Sequence, residues 1–325
     1  MQNASKGKPP LGVIFDSAFG HRADDALALA LLYHFDGKNE ARILSLSVSS
    51  AELNAARMCA VISRFYRQAT VRDPLPIGLL ASAKLRGEMP MNSVPLAKLT
   101  AEGTPVYRHN IERLTDTADP LPLMRNALAS QPDQSTAIVV TGPATNAARL
   151  LNLPGAKQLI AQKTKSLVIA AGNFSDSPES RPDFATQTDI AAMKKVFAEW
   201  PVPIVAVGTE VGESVVFPAS SIERDFSWSP AHPVADAYRA YKPMPFDAPT
   251  GALAAALFAV TPEEPSFNLS PSGSIQVLDD GRTKFNPAAE GRHRYLTVER
   301  EKKESLLVRY IELTSAKPIP PPPRR

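Results

Sequence analysis

The sequence predicts an α/β protein built on an open, mainly parallel sheet with crossover helices, followed by a mixed α/β C-terminal section. Three observations lead there. Short apolar runs alternate with helical patterns from residue 11 to residue 207, and several of these runs end in turns carrying Gly, Pro or Asp. The chain, at 325 residues, is also long enough to bury a large core.

The first run, Leu11-Gly-Val-Ile-Phe-Asp16, has the continuous apolar character of a buried parallel strand. A turn containing Gly20 follows, and Ala26 to Tyr33 (ALALALLY) reads as a helix buried nearly all round. Arg42 to Ser49 alternates as a second strand, and Asn54 to Tyr66 is an amphipathic helix. Leu75 to Gly78 reads as a short third strand. From Ala81 to Pro120 the chain is irregular and polar, as expected of a lid or surface excursion. The rhythm then resumes. Ala137 to Thr141 is a strand, Gly142-Pro143 a turn and Ala144 to Leu151 a helix. Ser166 to Ala170 and Pro203 to Val207 are strands flanking a helix from Asp189 to Glu199, and Pro249 to Val260 is an Ala-rich helix stopped by Thr261-Pro262. Ser274 to Leu278, Tyr295 to Glu299 and Leu306 to Leu313 read as short β or mixed elements around an Asp280-Gly281 turn. No repeat or clean linker interrupts residues 11–315, so they are expected to form one domain. It would lie between a disordered tail, residues 1–10, and a Pro-rich tail, residues 316–325.

Composition removes several function classes. Thirty-six basic against 33 acidic residues leave a dispersed +3, which excludes nucleic acid as the expected partner. The single cysteine, Cys59, excludes an intramolecular disulfide and any Cys-based zinc or iron–sulfur site. No apolar run is long enough for a membrane span. The polar start, with Lys6 and Lys8, is not a signal peptide, which leaves two compartments open: the cytoplasm, or an exported protein whose leader has been replaced by Met1.

In open parallel sheets ligands sit beyond the carboxyl ends of the strands, and three such ends carry polar residues here. Asp16 closes the first strand, with Asp24-Asp25 opening the following helix. Aspartates there are favoured by capping and the helix dipole alone, yet three neighbouring carboxylates also suit a hard cation such as calcium. Thr141-Gly-Pro-Ala-Thr-Asn146 is a turn into a helix, with Thr145 or Asn146 available as caps and carbonyls available to a metal. Asp247, before the Ala-rich helix, reads most simply as a cap.

Together these segments resemble the inosine–uridine-preferring nucleoside hydrolase family. Asp16-Ser-Ala-Phe-Gly20-His-Arg-Ala-Asp24-Asp25-Ala26 is similar to the family's longer signature, Asp-Thr-Asp-Met-Gly-Asn-Asp-Val-Asp-Asp-Ala. Thr141 to Asn146 resembles its Thr-Gly-Pro-Leu-Thr-Asn turn. Ile169 to Asn173 with Asp183 to Ala192 resembles its Gly-Gly and Glu-Phe-Asn…Asp-Pro-Glu-Ala-Ala region, and Trp200-Pro-Val-Pro-Ile204 and Phe246-Asp247 follow in order. The resemblance spans about residues 11 to 315. It implies a Rossmann-like nucleoside hydrolase fold and cleavage of the N-glycosidic bond of a ribonucleoside or related glycoside through an oxocarbenium-like state. It further implies one calcium ion that lowers the pKa of the attacking water and grips the ribose. The metal ligands it implies are Asp25, the Thr141 carbonyl and Asp247, and the substrate contacts are Asp24, Asn173 and Asp183. Self-association as a homodimer or homotetramer is implied in the same way.

The departures bear on catalysis. The family's aspartate that binds calcium and accepts the water proton is Ala18 here, and a methyl group does neither. Phe19 adds bulk to the same turn, the carboxamide of Glu-Phe-Asn is Ala185, its Glu is shortened to Asp183, the Asn after the second strand is Ser50, and a His before the last metal ligand is Phe246. Candidates for a replacement acid or base are Asp16, two residues back on the strand, and His21, which with Arg22 lies in the extended turn. His21 also reads as a solvated loop residue. His34, His109, His232 and His293 have no suggestive spacing. Two functions stay open: a divergent calcium-dependent nucleoside hydrolase whose base must lie elsewhere than Ala18, or a catalytically impaired relative that binds a nucleoside or sugar-like ligand without turnover.

Overall fold

Leu11–Ser17 forms β1, the strand around which the sheet is organised. The structure, a computed structural model, describes residues 9–67, 75–175 and 181–319. The remaining strands are β2 (Ala41–Val48), β3 (Ile77–Leu79), β4 (Thr136–Val140), β5 (Thr164–Ile169), β6 (Ile204–Ala206), β7 (Val216–Phe217), β8 (Ala248–Pro249), β9 (Asn268–Leu269), β10 (Gly273–Val277), β11 (Thr283–Pro287) and β12 (His293–Thr297). The main sheet runs β11-β10-β12-β6-β5-β4-β1-β2-β3, with β9 added beside β12, and β7 and β8 form a separate antiparallel pair. From β12 to β3 all neighbours are parallel, while β9, β10 and β11 join antiparallel, so the sheet is parallel in its body and mixed at its C-terminal edge.

Both faces of the body of the sheet are covered, which is why β1, β4 and β6 are apolar and buried, whereas β11 and β12 at its mixed edge are polar and half-exposed. Side chains alternate between faces along a strand. Val13 and Phe15 of β1, with Ala137 and Val139 of β4, enter one core with the helices Asp25–Gly37 and Gly251–Val260. Ile14, Ile138 and Val140 enter the other, against the helices Thr145–Leu150 and Ile190–Glu199. Asp25–Gly37 is buried on nearly every side because it packs against Gly251–Val260 and Lys303–Thr314 as well as the sheet.

Several expectations need correction. Leu306 to Leu313 is not β or mixed structure but part of the helix Lys303–Thr314. Its Val, Tyr and Ile content suggests a strand, but Leu306, Tyr310 and Leu313, spaced by four and three, are buried together on one helical face, so packing overrides propensity. The stretch from Ala81 to Pro120 is an excursion but not a lid. Its helix Pro90–Leu96 is packed on Pro233–Tyr241 and Leu53–Arg67, with Met91 and Asn92 fully buried, and none of its residues lines the cleft described below. The Ala-rich helix begins at Gly251, since Ala248 and Pro249 pair with β7. The helices Pro120–Ala129 and Pro233–Tyr241 were hidden by a first-turn proline, which suits that position because its missing N–H needs no partner there. Most of both expected tails, residues 1–8 and 320–325, lies outside the described residues. Among the described residues no helix is long and apolar enough to cross a membrane.

Candidate functional site

At the carboxyl ends of β1, β5 and β6 the chain leaves a cleft of about 340 Å³, within the range of small-molecule sites. His21, Arg22 and Asp24 form part of one wall, Asp183 and Phe184 another, and Tyr241, Phe246 and Asp247 a third. The turn after β1 approaches the turn after β4 so closely that a Cβ on Gly142 would lie 2.5 Å from the Ala18 nitrogen. Only glycine permits that approach, which explains the Gly-Pro turn without any appeal to catalysis.

Asp25 is fully buried beneath this wall. Its Oδ1 accepts the Ser17 hydroxyl at 3.0 Å and the Thr141 hydroxyl at 3.2 Å. Its Oδ2 accepts the backbone N–H groups of Gly20 at 3.3 Å and Arg22 at 3.2 Å. Those four donors match the roughly four lone-pair sites of a carboxylate. Burial, then the neighbouring Asp24, push its pKa up to about 7 against the opposing pull of Arg22 and Ser17.

Asp24 is also buried, but it caps a distant helix rather than its own. Its Oδ2 accepts the N–H groups of Ala252 at 2.6 Å and Leu253 at 3.1 Å, the start of Gly251–Val260, where the helix dipole favours a negative charge. Its Oδ1 faces the Arg22 guanidinium at 3.7 Å. Burial raises the Asp24 pKa, and Arg22 and the two helix N–H groups oppose the rise.

Arg22 therefore sits at the junction. Its Nη1 donates to the Ala170 carbonyl at 3.4 Å, at the end of β5. Its Nη2 lies 2.2 Å from where a Cβ on Gly251 would stand. A side chain on Gly251 would therefore have to displace the guanidinium. Gly251→Ala is expected to lower stability by about 1–3 kcal/mol through this overlap, although alanine is the better helix former by about 1 kcal/mol. Urea unfolding measures it, and a neutral or stabilising result would mean the guanidinium is not held there.

The other candidates divide. Asp247 is on the cleft wall and exposed, with Oδ1 capping Ala219 at 2.9 Å. Asp183 is on the wall as the N-cap of Phe184–Thr188, accepting the Gly172 N–H at 2.7 Å and the Thr186 N–H and hydroxyl. Thr141 is fully buried with its hydroxyl on Asp25. Asn173 does not reach the cleft: its carboxamide oxygen accepts the Ser175 N–H and hydroxyl, closing its own loop. Asp16 does not reach it either. It alternates to the other side of β1, where Asn146 donates to its Oδ1 at 2.8 Å and burial lifts its pKa to about 7. Ala18 is buried and absent from the cleft wall. His21 is on the wall, stacked on Phe184 at 5.7 Å, with Nε2 lacking a hydrogen-bond partner and burial lowering its pKa. The capping of Gly251–Val260 by Asp24, and the wall residues Thr209, Glu213, Tyr241 and Lys242, carried no signal in the sequence, because they meet only in the fold.

Asp25 has its acceptor sites filled, Asp24 is divided between a helix terminus and Arg22, and a guanidinium lies beside the pair. Among the described residues no group of three or more His, Cys, Asp or Glu side chains is placed to hold a metal ion. Of the residues that the resemblance assigned to calcium, Asp25 is therefore engaged by the protein and not free to bind it in this arrangement.

The family described as inosine-uridine preferring nucleoside hydrolase matches residues 13–303. The chain belongs to this family. Solved structures agree at the level of fold. An inosine-uridine preferring nucleoside hydrolase from Bacillus anthracis is 17% identical, with 93% of this chain and 99% of that one covered and a TM-score of 0.67. A plant nucleoside hydrolase is 19% identical, covering 95% and 100%, with a TM-score of 0.69. A type III effector protein, XopQ, solved with adenosine diphosphate ribose, is 15% identical, covering 95% of each chain, with a TM-score of 0.66. No curated protein sequence matches significantly. A nucleoside hydrolase-like function is therefore supported by family and fold, and the finer chemistry rests on the cleft.

Proposed function

We propose that this member of the nucleoside hydrolase family binds a nucleoside or related N-ribosyl compound in the cleft and does not carry out calcium-dependent hydrolysis. The observation that carries this reading is the state of the acidic pair. Asp25 is filled by four protein donors, Asp24 caps a helix, and the position of the expected base is the methyl group of Ala18. A general base contributes roughly 10²–10⁴-fold to such a reaction, so its loss, with Asp25 engaged by protein donors, leaves little turnover. What remains is a cleft of ligand size whose lining includes three aromatic rings, Phe184, Tyr241 and Phe246, suited to stacking a base. The polar groups of the same lining, Asp24, Arg22 and Asp183, are suited to sugar hydroxyls. We take residues 11–315 as the unit that carries it.

One observation favours a second reading. The His21 imidazole stands on the cleft wall, with burial favouring its neutral form and its buried Nε2 without a hydrogen-bond partner, the starting point for a base in metal-free hydrolysis. One experiment separates the two: incubation with a ribonucleoside panel, with chelator or with calcium, scored both for binding and for ribose released. Binding without ribose release is the expected result. Ribose released in chelator and lost in His21→Ala would establish the second reading, and release that requires calcium would overturn both.

A further inference from the structure

The acidic pair at the turn after β1 is partly compensated by the chain itself. Of the two carboxylates, 0% and 2% exposed, Asp24 faces a guanidinium whose side chain is 22% exposed and so still reachable from the cleft, and Asp25 feels the same charge at longer range. Buried carboxylates need a compensating cation. The guanidinium lies where Gly251 carries no side chain, with the Ala170 carbonyl accepting from Nη1. A planar guanidinium with five donors engages Asp24 and Ala170 and retains further N–H groups. Beside them, Asp24 Oδ1, the oxygen not engaged by the helix terminus, supplies an acceptor. A donor and an acceptor side by side match a sugar hydroxyl, which both accepts and donates. The cleft wall also holds Asp24, Asp183, Glu213 and Asp247 against Arg22 and Lys242, a balance that suits an uncharged polyol better than a phosphate.

We infer that the Arg22 guanidinium is the built-in cation of this cleft, taking the place of a divalent metal beside Asp24 and Asp25 and offering its remaining donors to the hydroxyls of a sugar ligand. The cation claim does not depend on the identity of the ligand. The sugar-facing claim rests on the proposed function.

The test uses the full chain after chelator treatment. Millimolar calcium chloride is expected to leave the wild-type melting temperature within about 1 °C of its value in chelator, whereas a ligand present at a hundred times its Kd would raise it by several degrees. Arg22→Ala is expected to melt lower than wild type and to recover part of the loss in calcium, because the acidic pair then lacks its cation. Arg22→Lys, which keeps a charge without the planar fork, is expected to fall between them. Calcium that raises the wild-type melting temperature by several degrees would overturn the cation claim, as would an Arg22→Ala protein that melts like wild type and ignores calcium. If Arg22→Ala does not fold, the wild-type titration and Arg22→Lys still decide it. In chelator, inosine affinity is expected to fall about tenfold in Arg22→Lys, the value of one well-placed charged hydrogen bond. Unchanged affinity would overturn the sugar-facing claim. Absence of inosine binding in the wild type would count against the proposed function and leave the calcium arms to decide the cation claim.

Discussion

Replacing Asp25 with alanine is expected to cost about 3–5 kcal/mol of folding stability, the range for removing one partner from a buried charged network. The carboxylate joins three elements: Ser17 at the end of β1, Thr141 beyond β4, and the Gly20 and Arg22 N–H groups of the intervening turn. Without it four buried or part-buried donors lose their acceptor together, so the loss exceeds that of any single bond. A carboxylate kept free for a metal would behave differently. Its removal would relieve repulsion with Asp24 and leave the apo protein as stable as before, or more so. Urea unfolding at neutral pH in chelator separates the cases, and a cost below about 1 kcal/mol would contradict the saturation of Asp25.

Asp16→Asn is expected to stabilise the protein at pH 8 by on the order of 2–4 kcal/mol and to have little effect near pH 4. Burial holds the folded-state pKa at about 7, whereas the ordinary value is 3.8. Between those values the folded chain binds a proton that the unfolded chain has released. Stability contributed by this group is therefore present at low pH and is lost as pH rises through the window from about 4 to about 7. Asparagine keeps an oxygen for the Asn146 N–H and carries no charge at any pH, so the loss disappears in the variant. The difference between wild-type and variant unfolding free energies, followed from pH 4 to 8, isolates this group from the others. A constant difference would contradict the burial account of Asp16 and reopen its role as a base.

Much of the sheet was legible because parallel strands buried on both faces are written as short apolar runs. Leu11 to Asp16, Ala137 to Thr141 and Ser166 to Ala170 fall on β1, β4 and β5 within a residue or two at each end. The helix Lys303–Thr314 was not legible, because its burial pattern is set by the helix Asp25–Gly37, far away in sequence. The same distinction runs through the site. Acidic residues at the turn after β1 were visible as types and spacing. That Asp24 would cap a helix 228 residues away was not, since a capping bond across the fold leaves no local trace. Arg22 was placed in the extended turn by the sequence, but its role needed Gly251 and Ala170 beside it. Asn173 and Asp16 had the right chemistry and were turned away from the cleft, one by its own loop and the other by strand alternation.

The most direct measurement of the central claim is calorimetric titration of inosine into chelator-treated protein, repeated in millimolar calcium. Binding with the same Kd and enthalpy in both, and no ribose released over the titration, is the result expected of a ribosyl-binding cleft that carries its own cation. Binding that appears only with calcium, or ribose release that calcium switches on, would contradict it.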